Sequence, residues 1–353
     1  MTIGIEQSNS GGFYNGPKSG TRMELENHQL VDTYNRHLNY LRISITDRCN
    51  LNCIYCNPLA SETKLLHKEI LRYEEILRIA RIGVRLGITK IRVTGGEPLA
   101  RKGCCDFLKQ LGSIKGLTDL SLTTNGVLLN DNIDGIRAAG IKRLNISLDT
   151  LDREKYRRIT GHDVFDRVWA NIRLALERRF SPIKLNVVVL RGINEDEITR
   201  LAGLSTDYPF HVRFIEQMPI GNPSDKVLSP VLVPEIKALV QSLGELIPIT
   251  KTATDGPAER YRLRGSKGEI GFISPVSSHF CASCNRLRLT SDGRLLTCLL
   301  SDICEDIKTP LRLGLLDNDL AAVFLRTVAR KPFSHPEILA PRQQPEQMVA
   351  IGG

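Results

Sequence analysis

Six short segments in which apolar and polar residues alternate constrain the fold of this chain more than any other feature. We predict strands over Leu41–Thr46, Lys90–Thr94, Asp119–Thr124, Arg143–Leu148, Lys184–Leu190 and Phe210–Ile215. Apolar residues recur at helical spacing between them, and we predict helices over Tyr73–Leu86, Asn130–Ala139, Phe165–Arg178 and Glu195–Ser205. Strands that alternate with helices form a parallel sheet with the helices packed outside.

The alternation inside these strands predicts a polar lumen. Side chains of a strand point to opposite faces in turn, so Arg42 and Ile43 lie on opposite faces, as do Arg92 and Val93. The apolar face must meet the helices, whereas a closed eight-stranded barrel fills its interior with apolar side chains. We therefore predict an α/β fold, an incomplete (βα)6 TIM-like barrel whose lumen holds a large polar ligand. The alternative is an antiparallel sheet with one solvated face.

The alternation stops after Ile215, and this divides the chain into three predicted parts. Residues 1–36, rich in Gly, Ser and Asn, are predicted to be a flexible N-terminal extension. Residues 37–218 are the partial barrel, and residues 219–353 are a smaller C-terminal α+β region. In that region we predict helices over Val233–Leu243 and Asp317–Ala329 and strands over Tyr261–Leu263, Glu269–Ile273 and Leu287–Thr290.

Charge and cysteine content narrow the class of protein. The net charge is +9, from 48 Lys and Arg against 39 Asp and Glu, which favours an anionic ligand or partner. No apolar run is long enough to span a membrane and the first thirty residues show no secretory signal, so we expect a cytoplasmic protein. Nine cysteines in such a chain indicate metal binding or redox chemistry rather than disulfides.

The first cysteine group, Cys49-x3-Cys53-x2-Cys56, directly follows the first predicted strand. Three thiolates can bind three irons of a cubane and leave the fourth iron open, whereas electron-transfer clusters use four cysteines. The alternative is a structural zinc site, which needs four N or S ligands. No fourth Cys or His lies close in the sequence, so a [4Fe–4S] cluster is the better prediction.

This loop resembles the cluster loop of the radical S-adenosylmethionine enzymes. The segment Gly95-Gly96-Glu97-Pro98 after the second strand is similar to a further motif of that superfamily. The resemblance implies that S-adenosylmethionine ligates the open iron and yields a 5′-deoxyadenosyl radical. Glycines allow a ligand to approach the backbone closely, and we expect Glu97 to help hold the methionyl ammonium.

The second cysteine group, Cys281-x2-Cys284-Asn-Arg286-Leu-Arg288 with Cys298, indicates a particular family within that superfamily. It is similar to the C-terminal site of the GTP 3′,8-cyclase family of molybdenum cofactor biosynthesis. The resemblance covers roughly residue 38 to the end and implies a second [4Fe–4S] cluster whose open iron binds guanine. The alternative is a zinc ribbon in which His279 or Cys304 supplies the fourth ligand.

The resemblance also implies the ligand contacts and the catalytic set. For GTP the implied contacts are Arg42, Arg92, Thr123, Lys184, Arg286 and Arg288. For S-adenosylmethionine they are Tyr55, Gly96, Ser147 and Met218. The implied catalytic residues are Cys49, Cys53, Cys56, Cys281, Cys284 and Cys298, with the terminal pair Gly352 and Gly353 entering the active site. Asn57 and Gly103 depart from the family pattern, where Met and Asp are expected.

The implied reaction removes hydrogen from C3′ of GTP, after which C3′ attacks C8 and reduction gives 3′,8-cyclo-7,8-dihydro-GTP. The implied partners are an electron donor of the flavodoxin or ferredoxin type and cyclic pyranopterin monophosphate synthase as the next enzyme. A homodimer is compatible with the family, and no membrane or nucleic-acid partner is expected. Two alternatives stay open: a radical maturase of a peptide or amino acid, and a basic zinc-binding nucleic-acid protein.

Overall fold

The computed structural model describes residues 29–56, 64–218, 229–250, 256–301, 303–334 and 348. Its strands are β1 Tyr40–Ser44, β2 Lys90–Thr94, β3 Asp119–Thr124, β4 Leu144–Ser147, β5 Ile183–Val189, β6 Phe210–Glu216, β7 Leu246–Pro248, β8 Glu259–Leu263, β9 Glu269–Ile273, β10 Arg286–Leu289, β11 Arg294–Leu296 and β12 Cys304–Asp306. Its helices are α1 Tyr73–Arg85, α2 Cys104–Gly112, α3 Leu129–Ala138, α4 Arg153–Thr160, α5 Phe165–Glu177, α6 Ile198–Asp207, α7 Val233–Gln241, α8 Lys308–Arg312 and α9 Asp317–Ala329.

The twelve strands form one sheet in the order β12-β11-β10-β1-β2-β3-β4-β5-β6-β9-β8-β7. Strands β1 to β6 are parallel and in sequence order, which confirms the predicted six-unit partial barrel. Two C-terminal strands extend this parallel part, because β10 pairs with β1 and β9 pairs with β6, both in parallel. Antiparallel hairpins then complete each edge. The C-terminal region is therefore continuous with the barrel sheet, which the sequence did not predict.

The apolar face of the sheet forms the main core with the helices. Ile43, Ile91, Val93 and Leu122 are fully buried, and they pack in one cluster with the apolar side of the helices, such as Ile76 of α1. The alternation predicted for these strands is thus confirmed. Burying a side chain of this size contributes roughly 1.5–3 kcal/mol relative to exposure.

Helix α2 is an element that the sequence prediction omitted. Its buried residues Cys104, Phe107, Leu108 and Leu111 follow helical spacing, so the signal was present. Gly103 precedes the helix with φ +78°. Glycine adopts this left-handed conformation without a steric cost, so Gly103 is compatible with this turn. Cys104 is buried and its neighbour Cys105 packs against α3 at Gly135, as expected of structural thiols.

Residues 29–36 are packed, and the part of the predicted flexible extension that covers them is wrong. Leu30 is buried in the main core, and an isolated bridge joins Val31 to His37. Asp32 and Arg36 form a buried ion pair with Nε–Oδ2 of 2.5 Å. Residues 1–28 lie outside the described residues. Within the part of the chain that the structure describes, no helix is long and apolar enough to cross a membrane.

Candidate active site

A cavity of about 650 Å³ lies in the lumen of the sheet. Of the predicted site residues, it is lined by Arg42, Cys49, Cys53, Tyr55, Cys56, Arg92, Gly96, Thr123, Ser147, Lys184, Met218, Cys281, Cys284, Arg286, Arg288 and Cys298. The structure therefore brings together all the described residues of the implied ligand contacts and catalytic set, although the two cysteine groups are more than 200 positions apart in the sequence. Gly352, Gly353 and Asn57 lie outside the described residues. Met348, four positions before Gly352, lines the same cavity.

Gly96 and Glu97, which follow β2, hold the loop of the first cysteine group against the end of that strand. The Gly96 amide donates to Thr46 O at 2.7 Å, and the Glu97 amide donates to Arg48 O at 2.8 Å. A Cβ atom on Gly96 would lie 2.2 Å from Arg48 O, directly before Cys49. Only glycine permits this close approach, so the motif after β2 positions the cysteine loop.

Glu97 connects the ends of two neighbouring strands. It is buried, and its carboxylate accepts from Thr124 Oγ1 at 2.8 Å, Asn125 N at 2.7 Å and Leu99 N at 3.0 Å. Burial raises the pKa of Glu97 to about 7 against these hydrogen bonds. Glu97 is absent from the described cavity lining, and its part in holding the ammonium stays a prediction. It joins the ends of β2 and β3, and Asn125 contacts Cys49 Sγ at 3.7 Å.

Tyr55, between the second and third cysteines, is held by a buried carboxylate. Its hydroxyl donates to Asp149 Oδ2 at 2.7 Å, while the other oxygen of Asp149 accepts from Val188 N at 2.8 Å. Burial raises the pKa of Asp149 to about 6. Asn194 donates to the Asp149 carbonyl at 2.7 Å. This network ties the cysteine loop to the ends of β4 and β5, and the sequence analysis did not include Asp149 or Asn194.

Strand β10 brings the predicted arginines into register. Its pairing with β1 sets Arg286 beside Tyr40 and Arg288 beside Arg42, and the pairing of β1 with β2 sets Arg92 on the other side of Arg42. Registered residues of parallel strands point to the same face. Three guanidinium groups therefore form one row across the cavity wall, and such planar forks suit phosphate oxygens.

Positive charge dominates the cavity. Nine Lys and Arg side chains line it against three carboxylates. The cations are Arg42, Lys90, Arg92, Arg143, Lys184, Arg213, Arg260, Arg286 and Arg288, and the carboxylates are Asp119, Asp149 and Glu216. The sequence analysis did not include Lys90, Arg143, Arg213 or Arg260, although Lys90 shares the strand face of Arg92. Asp119 is already paired with Lys90 and Arg143.

Burial and this excess of positive charge lower the pKa of several of the basic groups. Burial, with repulsion from Arg213 and Arg143, lowers the pKa of Lys184 to about 6. Burial and Arg286 lower the pKa of Arg288 to about 10. Arg92 Nε and Thr123 Oγ1 are buried without a hydrogen-bond partner among the described residues. Buried donors in this state need acceptors, so the cavity is built for a polyanionic ligand.

The loop before the second cysteine group is held by Glu216 at the end of β6. Its buried carboxylate accepts from Val233 N at 2.7 Å and from Val276 N and Ser277 N at 2.9 Å each. Glu216 thereby joins α7 and the segment leading to Cys281. The sequence analysis missed this residue, because its role depends on contacts between distant segments.

The donor chemistry of both cysteine groups fits iron–sulfur clusters. All nine cysteines are unpaired thiols, and three from each group face the cavity. Backbone amides donate to Cys49 Sγ at 3.4 Å and to Cys298 Sγ at 3.5 Å. Burial raises the pKa of the Cys284 thiol, but the Arg286 and Lys331 charges outweigh it and hold that pKa at about 6.

The two proposed fourth ligands of a zinc ribbon at the second site differ in their position relative to the cavity. His279 lines the cavity, and its ring donates from Nδ1 to Pro275 O at 3.0 Å, which leaves Nε2 open to a metal. Cys304 lies in β12 and is absent from the described cavity lining. Within the described ranges no three His, Cys, Asp or Glu side chains are placed to share one metal ion, which applies to zinc and to a cluster alike.

Comparison with known proteins agrees with this site. Residues 43–204 match the Radical SAM superfamily model, and residues 210–337 match the model for Molybdenum Cofactor Synthesis C. The GTP 3′,8-cyclase of Moorella thermoacetica is 48% identical over 324 residues, which cover 92% of this chain and 100% of the relative. The chain belongs to the GTP 3′,8-cyclase family. The GTP 3′,8-cyclase of Pelotomaculum thermopropionicum is 44% identical with the same coverage of both chains.

Solved structures show the same fold at lower similarity. The peptide-bound SuiB of Streptococcus suis has a TM-score of 0.61 at 16% identity, covering 88% of this chain and 69% of SuiB. A second SuiB structure has a TM-score of 0.57, and the chain spans 62% of its length. As a member of its family, the protein is a radical S-adenosylmethionine enzyme with two [4Fe–4S] clusters.

Proposed function

We propose that this protein converts GTP to 3′,8-cyclo-7,8-dihydro-GTP, the cyclisation step of molybdenum cofactor biosynthesis. The observation that carries the proposal is a single cavity lined by both cysteine groups and nine cationic side chains. A nucleoside triphosphate suits this cavity, because its phosphates can pair with the cations and its base can bind at the second cysteine site. The row of Arg288, Arg42 and Arg92 is not explained by a neutral peptide substrate.

The residues divide into three roles in this proposal. Cys49, Cys53 and Cys56 hold the first cluster, with Tyr55, Gly96, Ser147 and Met218 around S-adenosylmethionine. Cys281, Cys284 and Cys298 hold the second cluster beside the base. Arg42, Arg92, Thr123, Lys184, Arg286 and Arg288 bind the phosphates and ribose of GTP. When bound, the first cluster and S-adenosylmethionine supply the radical chemistry, and the second cluster supplies an iron to the base.

The polypeptide contributes orientation and charge. The cation row opposes the triphosphate from one wall of the cavity, so the ribose is directed away from that wall. Tyr55 and Asp149, joined at 2.7 Å, keep the first cysteine loop against β4 and β5. Met218 packs with Leu299 and Met348 in a small apolar cluster at the cavity. Met348 therefore lies at the cavity, four positions before Gly352 in the sequence, which supports the proposed role of Gly352 and Gly353 there.

The partners belong to the same proposal. The reaction needs an external electron donor, for which a flavodoxin or ferredoxin is the appropriate chemical class. The product passes to cyclic pyranopterin monophosphate synthase. Nine unpaired cysteines suit the reducing cytoplasm, and a homodimer is compatible with the family.

The experiment is formation of 5′-deoxyadenosine by anaerobically reconstituted protein with S-adenosylmethionine and dithionite, with and without GTP. We expect GTP to stimulate cleavage and to give about one cyclised product per deoxyadenosine. Cleavage that is indifferent to GTP would keep the radical enzyme and refute the substrate. A preparation with zinc and no iron would refute the cluster assignment.

A further inference from the structure

A buried ammonium beside the second cysteine group has no role in the site as described so far. Lys331 follows α9 and is only 3% exposed. Its Nζ donates to Arg286 O at 3.1 Å and to Thr297 O at 2.5 Å. Arg286 is two residues after Cys284, and Thr297 is one residue before Cys298. Lys331 therefore bridges the start of β10, which follows Cys284, and the residue after β11, which precedes Cys298.

Arg36, near the N-terminus, connects the first cysteine of the group to the residues that follow Lys331. Arg36 donates to Cys281 O at 2.7 Å, to Pro332 O at 2.6 Å and to Phe333 O at 3.0 Å. Asp32 neutralises Arg36 through the buried ion pair. The Arg36 guanidinium thus joins the Cys281 loop to the two residues that follow Lys331. Together, Arg36 and Lys331 hold the segments next to all three cysteines.

The charge of Lys331 lacks a conventional counter-ion. Among the described residues, no carboxylate pairs with it, whereas the Cys284 and Cys298 sulfurs interact with it electrostatically. A buried charge is costly unless it is paired. Arg36 already has Asp32, so the anionic partner left for Lys331 is the metal group that Cys284 and Cys298 would hold.

We propose that Lys331 is a positioning residue of the second cysteine site, which sets the separation of Cys284 and Cys298 through two backbone carbonyls and compensates the negative charge of the metal group that they hold. The proposal rests on the assignment of a cluster to these cysteines. Net charge and hydrogen bonding around the sulfurs set cluster potentials. Loss of a buried positive charge makes reduction harder, so it lowers the midpoint potential.

The test uses the full chain with Cys49, Cys53 and Cys56 replaced by Ala, so that iron and electron paramagnetic resonance report the second site. Lys331→Gln keeps N–H donors and removes the charge, whereas Lys331→Arg keeps the charge. Lys308→Gln is the matched control, because Lys308 Nζ donates to Glu69 O at 3.0 Å outside the cavity lining. The measurements are the midpoint potential and the rate of iron loss to a chelator.

We expect Lys331→Gln to lower the midpoint potential and to raise the rate of iron loss about tenfold or more, in the range of outer-shell substitutions at metal sites. Lys331→Arg and Lys308→Gln should stay close to the parent chain in both measurements. A Lys331→Gln chain that matches the Lys308→Gln control overturns the proposal. Equal iron loss in the Gln and Arg variants overturns the charge role. A parent chain that binds no iron refutes the cluster assignment instead.

Discussion

Binding of GTP should change the protonation of Lys184, and this makes affinity depend on pH. In the free protein, burial and the neighbouring Arg213 and Arg143 lower the pKa of Lys184 from its ordinary 10.5 to about 6. At pH 7.5 the amine is therefore mostly neutral. A bound triphosphate reverses the sign of the local field, and we expect the pKa to return to about 10. Binding then takes up one proton.

The size of the effect follows from the two pKa values. Between them, Kd rises about tenfold per pH unit, or about 30-fold from pH 7.0 to 8.5, equal to about 2 kcal/mol. The terminal phosphate titrates near pH 6 and is charged throughout this window. Among the neighbours of Lys184, His211 stays neutral because burial lowers its pKa to about 4. Burial also lowers the pKa of Arg213, but only to about 9, so its guanidinium keeps its charge.

The assay is calorimetric titration of GTP, without S-adenosylmethionine, in buffers of different ionisation enthalpy. Lys184→Arg is the control, because it stays charged and its Kd should be flat over the same window. Lys184→Met should bind more weakly and also be flat. A wild-type Kd that is constant from pH 7.0 to 8.5, with no net proton uptake, would refute the reasoning.

Three further substitutions separate the two halves of the site. Gly96→Ala places a Cβ 2.2 Å from Arg48 O, so we expect it to lose the iron of the first site and retain that of the second, as measured by iron content. Cys53→Ala should abolish S-adenosylmethionine cleavage while the calorimetric Kd for GTP is unchanged; retained cleavage would contradict the first cluster. Arg286→Ala should weaken GTP binding by about 1.5–3 kcal/mol, the range for hydrogen bonds to charged groups, with the first site still loaded; an unchanged Kd would contradict the contact.

Local patterns were sufficient to predict the barrel. The strands β2, β3 and β9 and the helix α9 coincide with their predicted ranges. The other predicted elements agree within two residues, except that α6 begins three residues after the predicted Glu195. The reason is that strand parity and helical spacing are properties of neighbouring residues. The same parity placed Arg42, Arg92 and Lys184 on the lumen face, where the structure has them.

Contacts between distant segments could not be read in the same way. Glu216 holds Ser277 across 61 positions and Arg36 holds Cys281 across 245 positions. Neither residue belongs to a local sequence motif. A carboxylate such as Glu216 can accept backbone amides at the end of any strand, and the carbonyl groups that accept from the Arg36 side chain are also distant in the sequence. The parallel pairing of β10 with β1 could not be predicted from the sequence either. The alternation of polar and apolar residues from Arg286 to Leu289 fits a surface hairpin as well as a barrel strand.

That pairing explains how two cysteine groups at opposite ends of the chain act in one cavity. Strand β1 lies between β2 and β10, so the strand that leads to Cys49 borders both the glycine motif after β2 and the strand that follows Cys284. The first group lies beyond the C-terminal end of β1 and the second before the N-terminal end of β10. In parallel strands these are opposite ends of the lumen. The row of Arg288, Arg42 and Arg92 crosses the wall between them, so the proposed triphosphate would bind on that wall, inside the lumen that both cysteine groups share.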